Sequence, residues 1–153
     1  KAAMYIDKLI YKNGIPIFIE GEKSTIFMCE DGIEITNDTN EKRCTLKYKK
    51  IMAIESFTES QITKNTITKN GNVIGNGLLG GFLFGPAGMF LGATSSIGSK
   101  TKTVTNTHYV IINYKAENEK IKSISFVYNT YRLEIDNFIN EVKKKIPENN
   151  MEL

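Results

Sequence analysis

The chain has 153 residues, a formal net charge of +3 and a hydrophobic fraction of 41%. This length suits one domain with its own core, and the composition excludes a disordered chain and a strongly basic nucleic-acid-binding protein. One histidine and no tryptophan are present, which excludes most zinc sites and most His-based catalytic sites.

Alternating apolar residues predict a series of strands in the first half of the chain. Asn13-Gly14 and Asp31-Gly32 are turn signals among them. Residues 61–69 are rich in threonine and are typical of an exposed β segment. The predicted strand residues are Ile15, Ile17 and Ile19; residues 25–29; Ile33 and Ile35; Cys44, Leu46 and Tyr48; and Ile51, Ile54 and Phe57.

The two cysteines, Cys29 and Cys44, each lie in an apolar run that is predicted to form a strand. Two thiols do not make a disulfide framework, and small buried thiols are favoured over a redox pair.

We expect Met4 to be the natural first residue. Asp7 and Lys8 interrupt the first apolar positions, so no signal peptide is recognisable. The expected location is the cytoplasm, or the inner face of the membrane for a peripheral protein, in a bacterium or its phage.

The second half resumes with Val110, Ile112 and Tyr114, which alternate, after a polar, threonine-rich segment at residues 101–107. Residues 117–120 form a charged turn before the last predicted strand. That strand carries Ile124, Phe126 and Tyr128.

A helix is predicted at the end of the chain, beginning near Asn129 or Thr130 and ending at Pro147. Its apolar residues form one stripe at the helical period, which is expected to close the core of a sheet. The residues of the stripe are Tyr131, Ile135, Phe138, Ile139, Val142 and Ile146.

An abrupt change of composition marks residues 70–99, which we call the insertion. It contains no charged residue and carries most of the chain's 12 glycines. Small residues spaced by four share one face of a helix and leave a groove where another backbone can approach. Because Pro86 divides the stretch, we expect a helical hairpin. The residues predicted to contact a membrane or a partner are Gly77, Gly81, Gly85, Gly88, Gly92, Leu78, Phe82, Leu83, Phe84, Met89 and Phe90.

Three arrangements of this hairpin stay open. Each half is roughly ten residues, or about 15 Å of helix, whereas a bilayer core of about 30 Å requires about 20 apolar residues. The hairpin could pack against the domain or a second copy, enter a membrane without crossing it, or form one kinked span.

Four lysines flank the insertion and define a predicted basic collar. If the two threonine-rich segments pair, these lysines gather at its base, where they would suit anionic headgroups. Lysine on exposed edge strands also simply discourages aggregation. The collar residues are Lys64, Lys69, Lys100 and Lys102.

Residues 75–80 match the dinucleotide fingerprint by letter, but neither the expected acidic residue nor a strand–helix alternation follows. Binding of an anion by the backbone amides of these glycines stays open as an alternative.

His108 has no nucleophile partner nearby in sequence, the carboxylates lie at predicted turns or on the polar helix face, and no metal-ligand spacing is found. We therefore expect no catalytic residue, no metal, no cofactor and no nucleic-acid partner.

The sequence resembles the bacterial pleckstrin-homology-like (PH-like, or GRAM-like) domains, some of which carry a glycine-rich apolar insertion. The resemblance is carried by Tyr48-Lys49-Lys50-Ile51-Met52-Ala53-Ile54-Glu55 and by Ser125-Phe126-Val127 with the helix that follows. It implies a mainly β (α+β) fold, a bent antiparallel sheet or barrel of about seven strands with a C-terminal capping helix. It also implies lipid, peptide or protein binding and seldom catalysis. The family's phosphoinositide-binding basic loop is not recognisable, because Lys12, Lys23 and Lys42-Arg43 are scattered.

We expect one PH-like domain at residues 4–147, interrupted by the insertion at 70–99 and followed by a tail at 148–153. The function that this organisation favours is a non-catalytic module that associates with a membrane surface or forms a homo-oligomer through its glycine-rich hairpin. Two alternatives are a soluble protein–protein adaptor or inhibitor of a host factor, encoded by a phage, and an anion- or nucleotide-binding protein.

Overall fold

The computed structural model describes residues 4–38, 42–58, 78–79, 82–83, 108–128 and 132–147. Nine strands and one α-helix lie within them. The strands are β1 (Met4–Asn13), β2 (Lys23–Met28), β3 (Gly32–Asn37), β4 (Arg43–Lys47), β5 (Ile51–Thr58), β6 (Leu78–Leu79), β7 (Phe82–Leu83), β8 (His108–Lys115) and β9 (Ile121–Tyr128), and the helix is α1 (Arg132–Lys145).

Seven of the strands form one antiparallel sheet in the order β4-β3-β2-β1-β9-β8-β5. The predicted mainly β fold with about seven antiparallel strands and a C-terminal helix is confirmed. A single 3-10 turn, Tyr48–Lys50, joins the two edge strands β4 and β5. Because so short a connection links opposite edges, the sheet bends until its edges lie near each other.

The core lies on the inner face of this bent sheet. In β2, β3, β8 and β9 the core residues alternate along the strand, which is the period-2 pattern of a strand. In β1 and β5 a shift of register interrupts this alternation. The helix α1 closes it with Ile135, Phe138, Ile139 and Val142, all buried. The predicted helical stripe is thereby confirmed, except that Tyr131 lies outside the described residues.

The prediction of a strand at Ile15, Ile17 and Ile19 is wrong. Residues 14–22 form turns, and the first strand is β1. Ile17 is 51% exposed and Ile19 is 61% exposed, whereas Ile15 and Phe18 are buried at a spacing of three. The alternation in the sequence therefore does not correspond to two faces of a strand.

The sequence pattern of β1 is interrupted by an irregularity in its pairing with β2. The register shifts between Ile6 and Leu9, and Lys8 between them has a φ of 65°. A bulge of this kind inserts an extra residue into one strand. The buried residues are consequently Ile6, Leu9 and Tyr11, and this spacing does not follow the period of two.

Within the insertion the structure describes β6 and β7, which pair antiparallel with Leu78 opposite Leu83 and Leu79 opposite Phe82. These four residues are extended, where the glycine spacing predicted helix. Gly80-Gly81 separates them in sequence, and a Gly-Gly pair favours a two-residue hairpin connection over helix. The rest of the predicted hairpin lies outside the described residues.

Candidate anion-binding cavity

A cavity of about 770 Å³ lies where the edge of β4 approaches the turn between β8 and β9. Its most prominent feature is positive charge, because five lysines line it. Glu117 is the acidic residue among the described residues of the lining. We call these residues the cavity lysines: Lys47, Lys49, Lys50, Lys115 and Lys122.

Two segments that are distant in sequence, residues 47–50 and residues 115–122, contribute the cavity lysines. Lys47 ends β4, Lys49 and Lys50 lie in the 3-10 turn, and the other two flank the β8–β9 turn. The register places Tyr114 opposite both Ile51 and Lys122. This brings the start of β5, the end of β8 and the start of β9 side by side.

The 3-10 turn is fixed to the body of the sheet by Tyr48. This side chain is buried, and its hydroxyl donates a hydrogen bond of 2.7 Å to the carbonyl oxygen of Cys29. The Tyr48 backbone N–H donates to the carbonyl oxygen of Asp31 at 3.0 Å. With Tyr48 held inside, its neighbours Lys47 and Lys49 are left exposed to solvent.

Little of the positive charge in the cavity is neutralised locally. Lys115 pairs with Glu119 at an Nζ–Oε1 distance of 3.6 Å. The other four cavity lysines form no ion pair with any residue in the described part of the chain. Several ammonium groups around one concave surface raise the local positive potential, which attracts anions.

The comparison with known families agrees with this architecture. The family model described as "glycine zipper containing PH domain" matches residues 5–128, which run from the second residue of β1 to the last residue of β9. The chain belongs to this family. The resemblance predicted from the sequence is confirmed, and PH-like domains are generally non-catalytic binding modules. No match was found among curated proteins.

Part of the cavity wall of this PH domain is uncharged at neutral pH. Burial raises the pKa of the Tyr114 hydroxyl above its ordinary value of 10.0, and the Cys44 thiol nearby raises it further. Burial also raises the pKa of Cys44 above 9.0, with a smaller contribution from Glu34. Cys44 lies on the edge strand β4 and Tyr114 lies on β8, which is next to the other edge strand. Their interaction therefore agrees with the bend of the sheet. Both cysteines are free thiols and partly buried.

We expect the free energy of unfolding to decrease as the pH rises past 9.0, the ordinary pKa of a thiol. Unfolded Cys44 loses its proton near that pH, whereas folded Cys44 keeps it. The contribution of Cys44 to the free energy of unfolding is therefore complete below pH 9.0, and it is lost as the pH rises through the folded pKa. Tyr114 adds a similar loss above pH 10.0. Urea unfolding between about pH 7 and pH 10.5 measures this. Cys44→Ala should flatten the first part of the decrease, and a flat profile for the unaltered chain would contradict the prediction.

Most of the site residues predicted from the sequence cannot be placed. Leu78, Phe82 and Leu83 come together in the β6–β7 pair. The collar and the glycine face stay predictions. Outside the described residues lie Gly77, Gly81, Gly85, Gly88, Gly92, Phe84, Met89, Phe90, Lys64, Lys69, Lys100 and Lys102.

Sequence reasoning missed the cavity lysines altogether. The run Lys47-Tyr48-Lys49-Lys50 is a visible signal, but its lysines entered the sequence interpretation only through the family resemblance. Its meeting with Lys115 and Lys122 depends on how the sheet bends, and no local pattern encodes that.

The cavity lies at one end of β5 and β8, beside Ile51 and Tyr114. At the other end of these strands Thr58 pairs with His108, and residues 59–107, which include the insertion, connect these two positions in sequence. Strands of this length separate the two ends by about 25 Å.

No cluster of His, Cys, Asp or Glu that could hold a metal ion occurs in the described residues. His108, the histidine considered for catalysis, begins β8 opposite Tyr128 and is partly buried. Over the same part of the chain, no helix combines the length and apolar character needed to cross a bilayer.

Proposed function

We propose that this PH domain is a non-catalytic binding module that associates with an anionic membrane surface. The observation that carries the proposal is the cavity lined by five lysines and one glutamate. Each lysine near an anionic leaflet contributes about 1 kcal/mol of attraction. Four cavity lysines without a described ion-pair partner can exchange water for lipid phosphate without first breaking an internal pair.

The basic surface extends beyond the cavity. A second cavity of about 350 Å³ beside it shares Lys49, Lys50 and Lys115 in its lining. Lys145 of α1 lines a third, together with Lys47 and Lys49. Glu117 and Glu119 also line the second cavity, and Glu30 and Asp31 line the third, so three lysines stand against two carboxylates in each. The positive charge is therefore concentrated in the first cavity and continues more weakly over its neighbours.

The insertion gives the module a second kind of contact. It is apolar and uncharged, so it is suited to the boundary between headgroups and acyl chains, or to a second copy of the chain at the membrane. A basic surface together with an apolar segment provides the two signals that stable peripheral attachment generally requires. In a cell this arrangement fits the inner, anionic face of the cytoplasmic membrane.

The chemistry of the cavity supports a binding role rather than a catalytic one. Burial raises the pKa of the Tyr114 hydroxyl, which lines the cavity. A hydroxyl that holds its proton more firmly is less suited to act as a base or a nucleophile.

Vesicle flotation of the full chain tests the proposal. We expect the chain to float with vesicles that contain anionic lipid and to remain unbound with neutral vesicles. Binding should weaken steeply with added salt, because the Debye length falls from about 10 Å at 0.1 M to about 3 Å at 1 M. Equal flotation with neutral vesicles, or none with anionic ones, would contradict the proposal.

A further inference from the structure

The loop between β1 and β2, residues 14–22, holds two isoleucines in solvent. Ile17 is 51% exposed and Ile19 is 61% exposed, and Pro16 beside them is exposed as well. We call these three residues the loop tip. Isolated apolar residues are common on protein surfaces, so exposure alone does not mark a binding surface. The rigidity of the loop and the charges around it do.

The loop is held in one conformation, so that the loop tip cannot turn inward. Ile15 and Phe18 occupy the inward positions of the loop and belong to the core. The Tyr11 hydroxyl donates a hydrogen bond of 2.9 Å to the Ile15 carbonyl oxygen, and the Ile15 backbone N–H donates one of 2.6 Å to the Tyr11 hydroxyl oxygen. A surface that is already rigid loses little conformational entropy when it binds.

The loop contains two carboxylates and no basic residue, and both carboxylates are engaged. Glu20 pairs with Lys12 at an Oε2–Nζ distance of 3.1 Å. Glu22 accepts hydrogen bonds from the Ile19 backbone N–H at 3.0 Å and from the Asn37 side-chain amide at 3.1 Å. The loop is therefore not suited to hold a phosphate itself, and what it presents to a partner is the apolar loop tip.

The loop tip borders the anion-binding cavity. A further cavity, of about 540 Å³, has Lys12 and Pro16 in its lining, and Lys122 lines both this cavity and the anion-binding one. Asn13 at the end of β1 lies opposite Ser125 of β9. Because the two strands are antiparallel, the loop after β1 and the turn before β9 lie at the same end of the sheet.

We propose that the loop tip enters the membrane interface when the cavity lysines bind anionic headgroups, so that Ile17 and Ile19 are buried at the boundary with the acyl chains. This contact rests on the proposed membrane function and adds to it an apolar anchor beside the cavity. Apolar contact supplies attraction that salt does not screen. The partner is a lipid surface rather than a soluble polyanion, because only a bilayer offers phosphate and an apolar phase together.

Replacing Ile17 and Ile19 together with serine should weaken binding to anionic vesicles about 30-fold, because each side chain has about half of its surface left to bury. The net charge is unchanged, so the salt dependence of binding should keep its slope. Leu133→Ser is the control. Leu133 is 69% exposed near the start of α1, whereas it is the other end of α1, at Lys145, that lines a basic cavity. Equal affinities of the double variant and the unaltered chain would overturn the proposal.

A tryptophan at the loop tip measures the insertion directly, since the chain has none of its own. We expect the emission of Ile19→Trp to shift to shorter wavelength with anionic vesicles and to be quenched by lipids with brominated acyl chains. Tyr5→Trp is the matched control. Tyr5 is 56% exposed near the start of β1, about 25 Å from the loop that follows this strand, and the tryptophan there should keep its emission wavelength.

Flotation of the same samples separates this contact from the membrane function itself. An unaltered chain that does not float with anionic vesicles would overturn both proposals. An Ile19→Trp chain that floats with its emission unchanged would overturn the loop contact alone, as would an equal shift in the Tyr5→Trp chain. If Ile19→Trp does not fold, Ile17→Trp takes its place in the test.

Discussion

Replacing Lys47, Lys49 and Lys50 together with alanine should weaken binding to anionic vesicles about 100-fold. Each lysine near the surface contributes about 1 kcal/mol, and about 1.4 kcal/mol corresponds to a factor of ten. These three side chains come from the end of β4 and the 3-10 turn, and none of them forms an ion pair with a described residue. Their removal should therefore leave the fold intact while it lowers the positive potential of the cavity. Vesicle co-sedimentation over a range of lipid concentrations measures the change.

The matched control is the triple variant Lys23→Ala, Lys42→Ala, Lys144→Ala. Both triples lower the formal net charge from +3 to 0, but the control residues do not line the cavity. We expect the control to lose only a small part of the affinity. Equal losses in the two triples would mean that overall charge, not the cavity, holds the protein at the membrane. Unchanged binding in the cavity triple would remove the cavity from the mechanism.

Gly14→Ala should be the most destabilising small substitution in the loop between β1 and β2. Gly14 has a φ of +111°, and a Cβ there would lie 2.3 Å from the Ser123 carbonyl oxygen and 2.7 Å from the Ile124 Cα. These are backbone atoms of β9 that cannot rotate away. Strain from the positive φ and overpacking each cost about 1–3 kcal/mol, so we expect a loss of about 4 kcal/mol in the free energy of unfolding.

Gly21 in the same loop provides the control. Its φ is +97°, but a Cβ would meet nothing within 4 Å. Gly21→Ala should therefore cost only the backbone strain, about 1–2 kcal/mol. Urea unfolding of both variants separates the two effects. Equal losses would mean that the loop does not pack against β9, which would contradict the burial of Ile15 and Phe18.

The sequence alone was sufficient to predict an element where its apolar residues follow one uninterrupted period from end to end. In β3, Ile33 and Ile35 alternate without interruption, and in α1 the stripe from Ile135 to Val142 follows one helical face. Both elements were predicted. In β1 the bulge at Lys8 interrupts the alternation, so this strand was not recognised. Ile17 and Ile19 alternate in sequence as in a strand, but they lie in a loop.

The candidate site was harder to predict because it depends on contacts between distant segments. Lys49 and Lys122 meet through the bend of the sheet, which no short window of sequence reports. The burial of β8 on both faces did leave a local signal. Tyr109, Val110, Ile111 and Ile112 form an unbroken apolar run, which is typical of a strand covered on both sides, although only its alternating members were interpreted.

The central claim is that this PH domain attaches to an anionic membrane through its cavity lysines, with the insertion adding apolar contact. Flotation of the intact chain beside a chain whose residues 71–99 are replaced by a short polar loop tests it most directly. Because residues 70–99 carry no charge, a loop of uncharged residues keeps the net charge unchanged. The account predicts that the intact chain floats with anionic vesicles only, and that the replaced chain floats more weakly but with the same requirement for anionic lipid. An intact chain that stays at the bottom of the gradient with anionic vesicles would contradict it.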